Sequence, residues 1–436
     1  MWTYYPELLE QPVPRYTSYP TAADFGDIPS GALRNALARA SGEVSLYVHI
    51  PFCEQICFYC GCNTAAAGRR QRVGSYLSAL HNEIATIGVL LSRGVSVRRV
   101  AFGGGSPNAI YPSEFLDLID ALHDAFGLDG TDLSIELDPR TMTADWAAAI
   151  GSAGVTRASM GVQTFAPHCQ RAIGREQSDT MIWRSTEWLR NAGVTSLNFD
   201  LMYGLPYQSH DDLLDSLENT RQFGAERVAL FGYAHVPHIV KRQKAIDAAA
   251  LPDAEMRFDM ARSGFEFLTS NSYHPVGFDH FALPDDPMAI AAQEGTLRRN
   301  FQGFTDDPSD SLIGLGASAI SGFPELIVQN EKNSGRYRML ASQGQLTGTH
   351  GVARAPQDRM NAAIIEDLLC RGRTRLSPCQ LASHSSRLQP FIARDLAKID
   401  GLDLSVTAAG RPYSRVIASI FDRFRQTSQV RFSSAV

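Results

Sequence analysis

Apolar residues along the middle of the chain follow two alternating periods. Short, β-branched runs bounded by Gly or Pro recur at 45–50, 97–102, 133–137, 156–162, 196–202 and 227–233, and these read as strands. Helix-period stretches lie between them. Residues 113–126 place Phe115, Leu118, Ile119, Leu122 and Phe126 on one face, with Ser113 as expected N-cap and Gly127 as stop. Residues 178–193 run from Ser178 to Gly193 in the same way, and 209–223 repeat the pattern with Leu213, Leu214 and Leu217. Strand and helix alternating six times predict a parallel sheet with right-handed crossovers, partly closed into a barrel or open and doubly wound. Either way, ligands belong at the carboxyl ends of the strands.

The flanks differ. Residues 1–30, rich in Pro, Tyr and Thr, read as an extended arm, and 31–352 as the repeating α/β domain. From 353 to 436 a small helical domain resembling a winged helix is expected, with helices near 357–370, 390–399 and 412–425 and a hairpin around Leu402, Leu404 and Val406. The formal charge of −6 gives no basic footprint for nucleic acid. No apolar run approaches the ~20 residues of a membrane span. The N-terminus lacks a signal-peptide pattern, so a cytosolic protein is expected.

Of seven cysteines, Cys53, Cys57, Cys60 and Cys62 fall within ten residues, spaced C-x3-C-x2-C-x-C; Cys169, Cys370 and Cys379 are scattered. Four thiols in one short loop suit an iron–sulfur cluster, in which three thiolates cap three irons and leave one iron open. A zinc site, which usually needs the chain to return with a second pair, is the alternative. C-x3-C-x2-C directly after the first strand is the signature of radical S-adenosylmethionine (SAM) enzymes. The run Gly103-Gly104-Gly105 after the second strand lets backbone approach a ligand and offers amides to a carboxylate. Glu136, Gln163, Arg175 and Asp200 are polar groups on or after later strand ends, candidates for the same rim.

With these features, further motifs resemble the oxygen-independent coproporphyrinogen III oxidase family: Pro14-Arg15-Tyr16-Thr17-Ser18-Tyr19-Pro20-Thr21, Ser159-Met160-Gly161-Val162-Gln163, Asp200-Leu201-Met202-Tyr203-Gly204-Leu205-Pro206 and Asn300-Phe301-Gln302-Gly303. The resemblance spans nearly the whole chain. It implies an α/β fold, an incomplete (βα)6 radical SAM barrel with an N-terminal arm and a small C-terminal helical domain, holding one [4Fe–4S] cluster and two SAM molecules. By motif, Cys53, Cys57 and Cys60 would be cluster ligands and Cys62 would not. Tyr47, Gly104, Glu136 and Ile320 match positions around the cluster-bound SAM. Tyr59, Gly105, Ser106, Gln163, Arg175, Asp200 and Ala234 match positions around the second. Glu136, Phe301, Gln302, Ile320 and Arg15 would serve the reaction. Tyr59 and Ser106 stand where Phe and Thr are familiar, and Leu283 where a basic residue is.

The implied reaction is the oxidative decarboxylation of two propionates of coproporphyrinogen III to vinyl groups, giving protoporphyrinogen IX. A 5′-deoxyadenosyl radical would take a hydrogen from the propionate β-carbon, followed by loss of CO2 and one electron. Phe52, Phe58 and Tyr59 suit shielding of such chemistry. A flavodoxin-like electron donor and a monomer are expected. A haem-carrying chaperone or another tetrapyrrole-modifying radical SAM enzyme is the alternative, and the Arg15-Tyr16-Thr17 arm counts against the chaperone.

Overall fold

All six apolar runs form strands: β1 (Glu43–Ile50), β2 (Ser96–Gly104), β3 (Asp132–Leu137), β4 (Arg157–Gln163), β5 (Ser196–Tyr203) and β6 (Arg227–Gly232). The computed structural model describes residues 2–10, 12–92 and 94–425, so 426–436 of the expected C-terminal domain lie outside the described residues. Each strand is followed by a crossover helix: α1 (Arg70–Leu90), α2 (Pro112–Phe126), α3 (Ala144–Ala153), α4 (Asp179–Asn191), α5 (His210–Gln222) and α6 (Ala254–Ser270). β1 to β6 pair in parallel and in chain order.

The sheet extends beyond the six units on both sides. Past β6 it adds, antiparallel, β7 (His274–Val276) and β8 (His280–Ala282). On the other side β9 (Ser311–Leu315) pairs in parallel with β1, followed by antiparallel β10 (Ile320–Phe323), β11 (Leu326–Asn330) and β12 (Gly348–Ala353), with Gly26–Asp27 at the edge. These thirteen strands make one sheet whose two outer strands do not pair, so the barrel stays open. The main core lies between sheet and helices, where Phe102 meets Phe115 at 5.0 Å and Phe115 meets Trp146 at 5.3 Å.

Helix ends follow local chemistry. The Ser178 side chain caps α4, and Ser209 caps α5 in a reciprocal box with Asp212. α2 departs from expectation: Pro112 takes the first helical position, so the N-cap is Tyr111 and not Ser113. Gly127 at φ +65° stops it as expected.

The arm is not a free extended strand. It forms a short helix at Pro6–Leu9 and buries Leu9, Val13, Tyr16 and Tyr19 in a second core with Leu368, Phe391, Leu404 and Phe421. Its apolar and aromatic side chains bury there because water disfavours them. The Tyr16 hydroxyl donates to Asp422 Oδ2 at 2.9 Å, and the Tyr5 amide to the Tyr413 hydroxyl at 2.9 Å. The C-terminal segment contains α7 (Pro356–Cys370), β13 (Arg373–Arg375), α8 (Pro378–Ile392), β14 (Ala397–Asp400), β15 (Asp403–Val406) and α9 (Ser414–Ser419). The helix expected over 390–399 therefore lies earlier. Asp395 at φ +55° turns the chain, and 397–400 form the first strand of the hairpin. The last helix is shorter than the expected 412–425. Among the described residues no helix is long and apolar enough to cross a membrane.

Candidate active site

The carboxyl ends of β1 to β6 open onto a cleft of about 460 Å³. The cysteine loop follows β1. Cys57 is buried, Cys53 and Cys60 are half-buried and Cys62 is exposed, and all four line the cleft. Among the described residues, no three sulfurs of this loop lie within 4.8 Å of one another, as ligands of a single ion would. Cationic donors surround the loop. Cys57 Sγ accepts from Arg175 Nη1 at 3.3 Å and from Arg140 Nη2 at 3.4 Å. Cys53 Sγ lies 3.2 Å from Thr64 Oγ1. A hydrogen bond from Cys62 lowers the Cys60 thiol below the ordinary cysteine range. Thiols spread along a loop beside guanidinium groups fit a cluster held by several thiolates.

The glycine run meets this loop at close range. A Cβ on Gly103 would fall 2.7 Å from the Glu136 carboxylate, one on Gly104 2.6 Å from the His49 ring, and one on Gly105 2.5 Å from the Phe52 carbonyl oxygen. Gly104 holds φ +116° and donates its amide to Glu136 Oε2 at 3.2 Å. Ser106 is buried, its hydroxyl on Asn108, which in turn donates to the Asp138 carbonyl.

Two carboxylates face each other across the rim. Glu136 is open to the cleft but walled by the barrel, and this enclosure, with the charge of Asp200, raises its carboxyl to about 7. Burial raises Asp200 as well, against hydrogen bonds from Ser159 and Asn198. Gln163 is buried at φ +68°, where a register shift interrupts the pairing of β4 with β5. Such a conformation is uncommon outside glycine and is held by its surroundings. Arg175 is buried, donating to the Gly161 carbonyl at 2.8 Å and to Asp138 Oδ2 at 3.1 Å.

Of the sequence-derived candidates, the cysteines, Tyr59, Gly104, Gly105, Ser106, Glu136, Gln163, Arg175, Asp200, Ala234 and Arg15 all line this one cleft. The others sit around it. The Tyr47 hydroxyl is 3.1 Å from His49 Nδ1, behind Gly104. Ile320 opens β10, two residues beyond Ser318, whose hydroxyl lies 3.5 Å from His49 Nε2. Gln302 lines a second chamber of about 330 Å³ that shares Glu136, Ser159 and Asp200 with the cleft. Phe301 faces instead a cavity bordered by Tyr16, Thr17, Ser18 and Tyr19 of the arm. Leu283 packs against the main core.

Sequence reasoning missed three groups. Asp138 joins Arg140 at 2.7 Å to Arg175 at 3.1 Å, and the only sequence signal was an Asp-Pro-Arg run at a strand end. Gln243 Nε2 ties the Tyr59 carbonyl at 2.9 Å to the Ala234 carbonyl at 3.0 Å, from a segment with no period to mark it. His49, held near 4 by burial, carries Tyr47 and Ser318 on its two nitrogens.

Residues 47–219 match the radical SAM superfamily, whose chemistry implies a [4Fe–4S] cluster and SAM. The chain is 39% identical to an oxygen-independent coproporphyrinogen III oxidase of Bradyrhizobium diazoefficiens, over 98% of both chains. It is 35% identical to that of Escherichia coli, over 97% of this chain and 95% of the relative. The solved structure of the Escherichia coli coproporphyrinogen III oxidase, described as a radical SAM enzyme, superposes with a TM-score of 0.89 at 35% identity, covering 94% of this chain and 97% of that one. Likeness at this identity and over this length, with the cysteine loop at the head of the same cleft, means that the chain belongs to the oxygen-independent coproporphyrinogen III oxidase family of radical SAM enzymes.

Proposed function

We propose that this protein converts coproporphyrinogen III to protoporphyrinogen IX without dioxygen, by oxidative decarboxylation of two propionates to vinyl groups. The observation that carries the reading is the meeting of three elements in one cleft: the cysteine loop, the paired carboxylates Glu136 and Asp200, and the arm's Arg15. When bound, the cluster and SAM supply the one-electron chemistry that an unactivated C–H bond requires and that no side chain here provides.

In this reading Cys53, Cys57 and Cys60 hold the cluster, with Arg175 and Arg140 stabilising the thiolate at Cys57. Two SAM molecules are assigned. Tyr47, Gly104, Glu136 and Ile320 surround the first, and Tyr59, Gly105, Ser106, Gln163, Arg175, Asp200 and Ala234 the second. The glycine run supports this because, without Cβ atoms, its backbone packs directly against Glu136, His49 and Phe52 and holds them at the edge of the cleft. Glu136 and Asp200 accept from ribose hydroxyls or an ammonium group. Gln302 and Ile320 orient the reacting groups, Phe301 acts from the cavity beside the arm, and Arg15 receives a carboxylate of the substrate. Phe52, Phe58 and Tyr59 keep water from the cluster side. Residues 31–352 form the catalytic unit, 1–30 the arm and 353–436 the C-terminal unit. A flavodoxin-like carrier supplies low-potential electrons to a single copy of the chain in this reading.

Anaerobic incubation of the reconstituted protein with coproporphyrinogen III, SAM and dithionite tests the reading. The expected products are protoporphyrinogen IX and CO2 in a 1:2 ratio, from two decarboxylations per molecule. SAM cleavage without any decarboxylated tetrapyrrole would overturn it.

A further inference from the structure

Beside the cleft, where the arm, the ends of β5 and β6 and the C-terminal segment meet, lies a recess of about 70 Å³. No cysteine, no residue of the glycine run and neither Glu136 nor Asp200 borders it. It shares Arg15, Gly232 and Ala234 with the cleft, so the two spaces adjoin.

Its walls carry Arg15, Arg257, Arg411 and Arg415. Arg15 donates to the Gly232 carbonyl at 3.0 Å, Arg257 to the Tyr233 carbonyl at 2.6 Å and Arg411 to the Gly277 carbonyl at 2.7 Å. Among the described residues none of these three has a carboxylate within ion-pair distance. The one acid among the described residues of the wall, Asp279, already lies 2.7 Å from His280 Nδ1. Arg257 Nε is buried without a hydrogen-bond partner among the described residues. Room for it is made by Gly204 at φ +76°, where a Cβ would stand 3.0 Å from that nitrogen. Burial, with Arg15 nearby, brings Arg415 down to about 10. The remaining lining is aromatic and aliphatic, and Trp2 of the arm closes it against Phe265 at 4.7 Å.

Guanidinium groups drawn together out of water with one carboxylate, Asp279, among them are costly, and a planar bidentate anion relieves that cost. The recess has room for a carboxylate arm and not for a tetrapyrrole ring. The C–H bond that reacts must sit in the cofactor cleft, and no cysteine or glycine-run residue borders the recess, so the recess suits a carboxylate other than the one being lost. We propose that the recess binds a propionate that the tetrapyrrole keeps, and that Arg257 and Arg411, with Arg15, thereby fix which side chains of a polycarboxylate substrate reach the cleft. This rests on the reaction proposed above.

Coproporphyrin III and mesoporphyrin IX are stable fluorescent probes; the second carries only the two propionates that the reaction leaves. Arg257→Gln and Arg411→Gln should each raise the Kd of both porphyrins about tenfold or more, the scale of one charge-assisted hydrogen bond. Iron content and SAM affinity by calorimetry should stay at wild-type values, and the lysine variants should recover part of the loss. Should Arg257→Gln fail to fold, Arg15→Gln on the half-buried arm gives the same readout. Wild-type affinity in these variants would overturn the recess, as would a loss confined to coproporphyrin III or a loss of SAM binding in place of porphyrin binding. A wild-type protein that binds both porphyrins through these arginines yet converts no coproporphyrinogen III would overturn the reaction and leave the recess standing.

Discussion

Glu136 offers a measurable conflict between stability and use. Enclosure in the barrel and the nearby charge of Asp200 raise its carboxyl from 4.5 to about 7. The unfolded chain loses this proton near 4.5, while the folded chain keeps it to about 7. Below the lower value both states are protonated and nothing is lost. Between the two values only the unfolded state is ionised, so stability falls as pH rises, and above about 7 the penalty is complete. Taken at face value the rise corresponds to about 3 kcal/mol. The carboxylate also meets solvent in the cleft, which reduces this to about 1–2 kcal/mol. Glu136→Gln keeps an acceptor for the Gly104 amide and removes the charge. In metal-free, reduced protein the variant should be more stable than wild type by about 1–2 kcal/mol at pH 8, and by about half of that at pH 5. Thermal midpoints across this range read the difference. In reconstituted protein the same variant should keep its iron and lose SAM cleavage. A variant no more stable than wild type at pH 8, or equally stabilised at pH 5, would refute the reasoning.

Cys53→Ala, Cys57→Ala and Cys60→Ala should each abolish iron and sulfide binding and dithionite-bleachable visible absorption, while Cys62→Ala retains all three. Gly104→Ala should lose on the order of 3 kcal/mol of stability, from positive-φ strain and a methyl group pressed on His49, and with it SAM binding measured by calorimetry. Gly127→Ala is the control: its φ is also positive, but no atom lies within 4 Å of the added methyl, so about 1 kcal/mol is expected.

The α/β repeat was legible because strand and helix periods are local and each segment kept one period throughout. The C-terminal segment was less legible. Its strands are three or four residues long, and the helix expected over 390–399 was broken by a turn at Asp395, a residue with no helix-stopping signature. The arm shows the same limit. Its prolines speak for an extended chain, yet Tyr16 and Tyr19 are drawn into a core whose other half lies some four hundred residues later, at Asp422 and Arg423.

By itself the sequence determined the six-unit repeat, the thiol-bearing loop after the first strand and the polar strand ends that line the cleft. These follow from spacing along the chain, and parallel pairing then carries every strand end to one rim. Tertiary structure alone decided the rest: the bridge of Arg175 and Arg140 through Asp138 to Cys57, the tie of Gln243 between Tyr59 and Ala234, and the gathering of Arg15, Arg257 and Arg411 beside one recess. The contacts that close these groupings, Arg175 to Cys57 and Gln243 to Tyr59, join residues more than a hundred positions apart, and no local period encodes a meeting that depends on how the sheet curves and on what packs over its open end.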